Sequence, residues 1–438
     1  MNIVFLSGGS GKRLWPLSND IRSKQFIQMF KNESGELESM IQRSYRQVLV
    51  EIPDAKITFT TLKSQASSIR KQLNEVVDIC VEPCRKDTFP AIALVSLYLY
   101  NRKSIDPNEP LIVSPIDLFV ENDFYQSFIE LSDIVRQSEQ ALHLLGIEPT
   151  YPSEKYGYII PEDSKERSKV HSFHEKPSED LAKKYLEQNA LWNSGVFGFK
   201  LSYMLDKTKE ILGFTDYEEM YSKYHTLEVK SFDYAVSESE QSMDVLRYSG
   251  SWMDLGTWNT LTEAMQTETI GNSIMDSTCH NTHIINELDI PILGMGCKDL
   301  VISASAGGIL VSDKIASSQI KPYIESIKQG VMFAEKSWGS VRVVDVEENS
   351  MSIKVVINQG QMMNYHSHEN RDEMWTILSG TGRTIVDGME EIVTPGDVVT
   401  MEAGCRHTII ADTELHIMEV QLGKEISVHD KVKYELEI

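Results

Sequence analysis

Residues 1–26 read MNIVFLSGGSGKRLWPLSNDIRSKQF and join a short apolar run to a glycine-rich turn. The run NIVFL has the length and the β-branched content of a buried strand. Three glycines follow within six residues of its end, and two basic residues come directly after them. Successive backbone N–H groups in such a turn form an anion-binding concavity. The stretch therefore predicts a phosphate site at the end of a first strand.

Two common phosphate motifs do not fit this turn. A P-loop needs glycine where Leu6 stands and Ser or Thr where Arg13 stands. The dinucleotide fingerprint needs glycine at the position of Leu14. The turn is therefore of another type, and the rest of the chain must identify it.

The first 265 residues alternate between strand-like and helix-like segments. Short apolar runs that predict buried strands are NIVFL, KITFTT, VVDICVE, PLIVSPID and ALHLLGI. Between them, TFPAIALVSLYLYNRK and DFYQSFIELSDIVRQSEQ have the spacing of helices. This order predicts an α/β domain with a Rossmann-like, mostly parallel sheet covered by helices on both faces. Ligands of such sheets bind at the carboxyl ends of the strands.

The remaining chain has little helical signal. Residues 266–328 contain short strand-like runs broken by Asn, Asp and Gly, which predicts a small β-rich and possibly β-helical module. Residues 329–438 are nearly all short strands and glycine turns, which is typical of a barrel or sandwich of about 100 residues. We therefore predict three domains, at 1–265, 266–328 and 329–438.

Composition excludes several functional classes. The 438 residues carry a formal net charge of −23, which disfavours broad binding to nucleic acid or to an anionic membrane. The five cysteines include no C-x-x-C pair, which favours a reduced compartment. Neither a signal peptide nor an apolar run of membrane-spanning length is present in the sequence. We expect a cytoplasmic protein.

The motifs of the first 265 residues resemble those of a known enzyme family. SGGSGKRLWPLS and SKQF are followed, in order, by EPCRKDTFPAIA, SPID, GIEPTYPSEKYGYI, FHEKP, WNSGVF, SFDYAVSE and WMDLGTW. Together they are similar to the sugar-1-phosphate nucleotidyltransferases, and most similar to mannose-1-phosphate guanylyltransferases that carry a fused phosphomannose-isomerase-like domain. The resemblance implies GTP, or another nucleoside triphosphate, and a sugar 1-phosphate as substrates, and GDP-mannose biosynthesis as the outcome.

The resemblance also implies roles for individual residues. Catalytic candidates are Arg13, Lys24, Asp117 and Asp254, and the two aspartates are the expected Mg²⁺ ligands, since Mg²⁺ binds carboxylate and phosphate oxygens. Nucleotide-binding candidates are Leu6, Gly8, Gly9, Gly11, Lys12, Glu82, Pro83 and Arg85. Sugar-phosphate candidates are Gly157, Glu175, Lys176 and Asn193, with Asp233 as a weaker one. Ser23 and Leu118 replace the family's usual Pro and His.

The C-terminal region resembles a cupin. Gly360, His366, His368, Glu373 and Gly380 follow the spacing G-x5-H-x-H-x4-E-x6-G, and His407 belongs to the second cupin motif. Two histidines two residues apart on a strand face the same side. We therefore predict that His366, His368, Glu373 and His407 bind a divalent transition metal, zinc or a similar ion.

Three substitutions separate this site from the family's isomerase pattern. His366, Asn370 and Met374 stand where that pattern has Gln, His and His. The sequence thus predicts the metal site but leaves isomerase activity open. It also leaves open the base and the sugar of the transferase, a homodimer, and a sugar-nucleotide sensor without catalysis.

Overall fold

The N-terminal apolar run forms β1 (Asn2–Leu6), an interior strand of a nine-stranded sheet with the order β5-β4-β1-β6-β11-β8-β12-β10-β9. The structure is a computed structural model and describes residues 1–9, 12–19, 21–73, 77–327, 330–424, 426–427 and 430–436. One unit comprises Met1–Gly9, Lys24–Gly256 and Glu263–Gln266; the other comprises Ser10–Ser23, Thr257–Thr262 and Thr267–Ile438.

The strands of the first unit include all five that the apolar runs predict. They are β1 (Asn2–Leu6), β2 (Phe30–Lys31), β3 (Leu37–Glu38), β4 (Lys56–Leu62), β5 (Asp78–Glu82), β6 (Pro110–Pro115), β7 (Leu118–Val120), β8 (Leu142–Ile147), β9 (Tyr158–Pro161), β10 (Arg167–His174), β11 (Leu191–Lys200), β12 (Met243–Tyr248) and β13 (Trp252–Asp254).

The helices of the chain confirm both segments that the sequence predicts as helical. They are α1 (Met40–Glu51), α2 (Lys63–Leu73), α3 (Thr88–Asn101), α4 (Gln126–Gln137), α5 (Glu179–Leu186), α6 (Leu201–Leu212), α7 (Tyr217–Lys223), α8 (Trp258–Ala264) and α9 (Lys321–Ser326).

The large sheet is mostly parallel, as predicted. Parallel ladders join β5, β4, β1 and β6, and β8 is parallel to β12. Strands β10 and β11 run in the opposite direction. Alternate residues of β1 point to opposite faces: Ile3 and Phe5 enter one apolar cluster with α1, α2 and α4, and Val4 enters another with α3 and α6. Helices therefore cover both faces.

The second unit contains a short β-rich segment followed by a two-sheet domain. Its strands are β14 (Thr269–Ile270), β15 (Ser273–Met275), β16 (His283–Asn286), β17 (Ile292–Gly294), β18 (Leu300–Ser305), β19 (Gly308–Asp313), β20 (Phe333–Lys336), β21 (Gly339–Val346), β22 (Ser350–Ile357), β23 (His366–Ser367), β24 (Asp372–Ser379), β25 (Gly382–Val386), β26 (Met389–Val393), β27 (Val398–Met401), β28 (His407–Ala411), β29 (Leu415–Leu422) and β30 (Val432–Lys433).

The β-rich segment consists of two parallel ladders, β14-β16-β18 and β15-β17, and β19 adds to the first as an antiparallel strand. Strands that return in parallel register after each turn are the arrangement of a β-helix. We call residues 267–320 the middle module.

The C-terminal strands form two sheets with an apolar core between them. One has the order β20-β21-β22-β29-β24-β27, and the other has the order β26-β25-β28-β23-β30. Trp375, Ile377 and Ile417 are among the fully buried side chains of this core. Among the described residues, no helix is both long and apolar enough to cross a bilayer.

Candidate functional sites

Two aspartates of the first unit are brought together by a pair of very short strands. Asp117 lies between β6 and β7, and Asp254 is the last residue of β13. Strands β7 and β13 are antiparallel, with Asp254 opposite Leu118. This pairing places one carboxylate beside the other although 136 residues separate them in the chain.

Lys24 contacts both of these carboxylates. Its Nζ lies 2.6 Å from Oδ2 of Asp117 and 3.5 Å from Oδ1 of Asp254, and it donates a hydrogen bond of 3.1 Å to the carbonyl oxygen of Leu255. Burial alone would lower the pKa of Lys24, but the two carboxylates more than offset this and raise it. The two carboxylates can therefore share one cation, and their hard oxygen atoms fit Mg²⁺.

The position of Lys24 is fixed by its neighbours. Lys24 begins a 3₁₀ turn with Gln25 and Phe26, both of which are buried. Gln25 Nε2 donates to the carbonyl oxygen of Ser7, at 2.8 Å, directly after β1. The turn thus ties the lysine to the strand that leads into the glycine turn.

The described part of the glycine turn lies against Glu82. A Cβ atom on Gly8 would be 3.1 Å from Oε1 of Glu82, and Arg85 Nε donates to the Gly8 carbonyl oxygen at 3.2 Å. Gly9 accepts a hydrogen bond of 3.3 Å from Gln65. Leu6 ends β1, so the turn begins where that strand stops.

The three remaining nucleotide-site candidates of the glycine turn are Gly11, Lys12 and Arg13. Gly11 lies outside the described residues. Lys12 begins a 3₁₀ turn that ends at Leu14, and its side chain is likewise outside the description. Arg13 belongs to this turn and is exposed. Arg13 lies within the residue range of the second unit.

Glu82 is buried at the end of β5 and accepts a hydrogen bond of 2.9 Å from the hydroxyl of Tyr224. Burial raises the pKa of Glu82 to about 7, although Tyr224, Thr60 and Arg85 act in the opposite direction. Pro83 and Arg85 connect β5 to α3, whose N-terminus is capped by Asp87. The carboxyl group of Glu82 thus titrates near neutral pH beside the glycine turn.

The sugar-phosphate candidates form a contiguous group. Lys176 Nζ lies 2.5 Å from Oε1 of Glu175, and Asn193 donates through its backbone N–H to the Gly157 carbonyl oxygen at 2.8 Å. Asn193 Nδ2 donates to Oδ1 of Asp233, also at 2.8 Å. Asp233 therefore belongs to the group, although the sequence ranks it as the weaker candidate.

Close packing explains the glycine in this group. A Cβ atom on Gly157 would lie 2.6 Å from Oε2 of Glu175 and 2.9 Å from Cζ of Phe173. Burial and the Glu175 carboxylate raise the pKa of Asp233 to about 7, although Lys176 and Asn193 act in the opposite direction. A carboxylate, an ammonium and an amide on one surface match the hydroxyl and phosphate groups of a sugar phosphate.

The four predicted cupin ligands lie together in the second unit. His366 on β23 is the antiparallel partner of His407 on β28, and Glu373 is on β24 of the other sheet. The ligand atoms of these residues and of His368 all lie within 4.8 Å of one another, and all four residues are buried.

Backbone carbonyl groups orient all three imidazole rings. Nδ1 of His366 contacts the carbonyl oxygen of Asn364 at 2.6 Å, and Nδ1 of His407 contacts that of Cys405 at 3.1 Å. Nδ1 of His368 contacts the carbonyl oxygen of Asp430. A ring that donates from Nδ1 presents the lone pair of Nε2, which is the usual state of a metal-ligating histidine. Burial lowers the pKa of His366 to about 2, with Lys431 contributing, so this ring stays neutral.

Two of the three Nε2 atoms lie close to the Glu373 carboxylate. Those of His368 and His407 lie 3.1 and 3.2 Å from its oxygen atoms. His407 Nε2 is buried and has no hydrogen-bond partner among the described residues. The Arg371 guanidinium contacts Nε2 of His368 and donates to Oε1 of Glu373, both at 3.0 Å, so one cation of the chain already lies beside this group. Three imidazoles and one carboxylate form a donor set that fits a divalent transition metal.

Several residues that contact the cupin group are not among its predicted ligands. Arg371 and Gln421 each donate to Oε1 of Glu373 at 3.0 Å. Asp430 orients His368 through its carbonyl oxygen and accepts hydrogen bonds from two backbone N–H groups through its side chain. The contact of Asp430 spans 62 residues, so only the folded chain reveals it.

Comparison with known proteins agrees with this arrangement. The nucleotidyl transferase family model matches residues 2–270, and the cupin domain model matches residues 353–421. A putative mannose-1-phosphate guanylyltransferase of Vibrio cholerae serotype O1 is 28% identical over 472 residues, which cover 99% of both chains. A mannose-1-phosphate guanylyltransferase of Salmonella montevideo is 25% identical over 476 residues, which cover 98% of both.

A solved structure has a similar fold. The crystal structure described as a mannose-1-phosphate geranyltransferase from Thermus thermophilus aligns with a TM-score of 0.63 and 22% identity. The alignment covers 75% of this chain and 99% of that one. At this identity the likeness supports the fold alone.

Removing one imidazole should empty the cupin site. We expect His366→Ala to lower the affinity for a divalent metal by more than about 100-fold, since loss of even an orienting partner of a ligand costs about 10–100-fold. Metal content after dialysis, measured by mass spectrometry, checks this. His416→Ala is the control because His416 is partly exposed and pairs with Glu414; equal loss of metal in both variants would contradict the assignment.

Glu82 should make the stability of the protein depend on pH. Its pKa is about 7 in the folded chain and about 4.3 in an unfolded one, so the folded state binds the extra proton between these values. The free energy of unfolding should therefore fall as pH rises from 5 to 7, by at most about 1.4 kcal/mol per pH unit. Glu82→Gln should reduce this slope in denaturant titrations, and the part that remains comes from Asp233, whose pKa is also raised to about 7. The exposed Glu130→Gln should leave the slope unchanged.

Proposed function

Because the chain belongs to the nucleotidyl transferase family, we propose that it transfers GMP from GTP to mannose 1-phosphate and forms GDP-mannose and pyrophosphate. The observation that carries the proposal is the contact of Lys24 with both Asp117 and Asp254. A protein that only binds a nucleotide sugar does not need two carboxylates that share a cation. The full-length similarity to mannose-1-phosphate guanylyltransferases supports the choice of substrates.

The reaction joins two polyanions. An oxygen atom of the sugar phosphate attacks the α-phosphorus of the triphosphate, and pyrophosphate leaves from the opposite side. Asp117 and Asp254 would hold Mg²⁺, which neutralises phosphate charge when it is bound. Lys24 and Arg13 supply positive charge to the triphosphate, and the bare backbone at Gly8 and Gly9 admits its oxygen atoms.

The sugar phosphate binds at the group around Glu175. Lys176 is placed to neutralise the phosphate of this substrate, and Glu175 and Asn193 are placed to accept and donate hydrogen bonds to sugar hydroxyl groups. Their mutual contacts hold these groups in place before the substrate arrives, which reduces the entropy lost on binding.

Guanine is assigned to the surface formed by Glu82, Pro83 and Arg85. Glu82 and Arg85, at the end of β5 and just after it, both contact Gly8 of the glycine turn. The residues that recognise the base are therefore next to those that bind the phosphates. The cupin site holds a divalent transition metal, zinc or a similar ion, through His366, His368, Glu373 and His407. The two sites are chemically distinct, since one offers only oxygen ligands and the other mainly nitrogen.

A substrate panel tests this function directly. The purified protein is incubated with Mg²⁺, each of several nucleoside triphosphates and each of several sugar 1-phosphates, and pyrophosphate is measured. We expect release with GTP and mannose 1-phosphate in preference to all other pairs. Preference for another pair would change the substrates but keep the chemistry, and absence of release from every pair would favour a sensor of sugar nucleotides.

Substitution of one magnesium ligand should separate catalysis from binding. We expect Asp254→Asn to lower kcat by at least about 100-fold, because a misplaced or missing charge in the transition state costs several kcal/mol. Binding of GTP, measured by calorimetry, should stay within a few-fold of the wild type. The matched control is Asp133→Asn, since Asp133 pairs with Arg136 at the surface; equal activity of both variants would contradict the role of Asp254.

Substitution of a sugar-site glycine should affect one substrate only. In Gly157→Ala the new methyl group would overlap Glu175 and displace it. We therefore expect the KM for the sugar phosphate to rise about ten-fold, which corresponds to a loss of about 1.4 kcal/mol of binding free energy. The KM for GTP should not change. Gly330→Ala is the control because no described atom lies within 4 Å of a Cβ atom there; a rise in both KM values would refute the assignment.

A further inference from the structure

The segment that follows the glycine turn is hydrogen-bonded to residues far along the chain within the second unit. Ser305 Oγ, at the end of β18, donates to the carbonyl oxygen of Pro16 at 2.7 Å, and this bond is buried. Trp258 Nε1 donates to the carbonyl oxygen of Trp15 at 3.1 Å. Two successive carbonyl groups of the Trp-Pro sequence are therefore fixed by separate donors.

Two glycines of the middle module provide the surface on which Trp15 and Pro16 lie. A Cβ atom on Gly308 would be 2.5 Å from Cζ2 of Trp15, and one on Gly307 would be 3.1 Å from the Pro16 carbonyl oxygen. Gly308 also has a φ angle of +138°, which side chains rarely adopt. The indole ring thus packs directly on the backbone of β19, and no other residue type leaves that space.

At the other end of the segment, Arg22 forms an ion pair and Asn19 a hydrogen bond with residues of the second unit. Arg22 NH1 lies 2.8 Å from Oε2 of Glu287, and its guanidinium carbon lies 5.0 Å from the ring centroid of Phe333. Asn19 Nδ2 donates to the Phe333 carbonyl oxygen at 3.0 Å. Because Arg22 is mostly buried, this ion pair is stronger than an exposed one.

Beside these anchors the segment buries two leucine side chains and exposes Arg13. Leu14 and Leu17 are each 1% exposed. Arg13 precedes the buried Leu14 directly and is exposed. Arg13 therefore lies two residues before Trp15, whose ring packs on Gly308 of the middle module.

Neither family model matches residues 271–352, so the two models assign nothing to Glu287, Ser305 or Gly308. We propose that the middle module is a brace for nucleotide binding, in which these three are positioning residues that hold the segment from Arg13 to Arg22. The inference rests on the proposed function, because only a protein that binds a nucleoside triphosphate would have its nucleotide binding changed by the brace. Trp15 and Pro16 are the residues of the segment that pack on and hydrogen-bond to the module.

Steady-state kinetics separate a positioning role from a general structural one. We expect Ser305→Ala to raise the KM for GTP about five-fold, since one neutral hydrogen bond contributes about 1 kcal/mol, while the KM for mannose 1-phosphate is unchanged. Ser303→Ala is the matched control: Ser303 is fully buried on the same strand, and its Oγ has no hydrogen-bond partner among the described residues. Cupin metal content should be alike in the two variants, and the stability of Ser305→Ala should fall by no more than one lost hydrogen bond accounts for.

A second pair of variants and a second method test the same brace. Glu287→Gln should also raise the KM for GTP, whereas Asp289→Asn, which removes an exposed pair with Arg342, should not. Hydrogen exchange measured by mass spectrometry should show faster exchange of residues 12–22 in Ser305→Ala and Gly308→Ala, and not in Ser303→Ala. Faster exchange confined to this segment supports the brace without relying on turnover.

The outcomes distinguish the two proposals. If the wild type transfers no nucleotide to any sugar 1-phosphate, the proposed function fails, and the kinetic role of the brace fails with it. If the wild type is active but Ser305→Ala and Ser303→Ala have the same KM for GTP and the same exchange of residues 12–22, only the brace is overturned. A rise in both KM values together with a lower melting temperature would also overturn it, since that is the result of general destabilisation.

Discussion

The pairing of two three-residue strands, β7 and β13, is the constraint on which the transferase site depends. Strand β7 begins directly after Asp117, and β13 ends at Asp254. Where these two strands pair, both carboxylates contact Lys24. Two carboxylates that contact one ammonium group are close enough to repel each other, so a cation must accompany them. Lys24 provides one such charge and is fixed in place by the buried Gln25 and Phe26 that follow it.

The two proposed metal sites share a physical feature. In each, a basic side chain of the chain itself contacts the acidic donor: Lys24 contacts Asp117 and Asp254, and Arg371 contacts Glu373. The donor sets differ, however. The carboxylates of the first suit a hard ion such as Mg²⁺, and the three imidazoles of the second suit a softer transition metal. Donor chemistry alone can therefore direct two different ions to the two sites.

Much of this architecture could be predicted from the sequence, and the failures have physical reasons. Short apolar runs predicted five of the nine strands of the large sheet, because burial on both faces removes polar residues from them. The reversal of β10 and β11 was not predictable, since a strand's direction leaves no trace in its composition. The ladder of β7 and β13 was also invisible because three residues are too few to show a period. The four candidate cupin ligands were predicted from their spacing, whereas Asp430 and Ser305 make hydrogen bonds across 62 and 289 residues.

The claim that Asp117 and Asp254 share one divalent ion can be tested by diffraction. Crystals grown with Mn²⁺ and a non-hydrolysable GTP analogue would give an anomalous signal at the manganese position. We predict a peak about 2.1 Å from an oxygen atom of each aspartate, which is the distance for a hard six-coordinate ion, with Lys24 displaced toward the phosphates. A peak bound by one aspartate alone, with Lys24 still bridging both carboxylates, would contradict the claim.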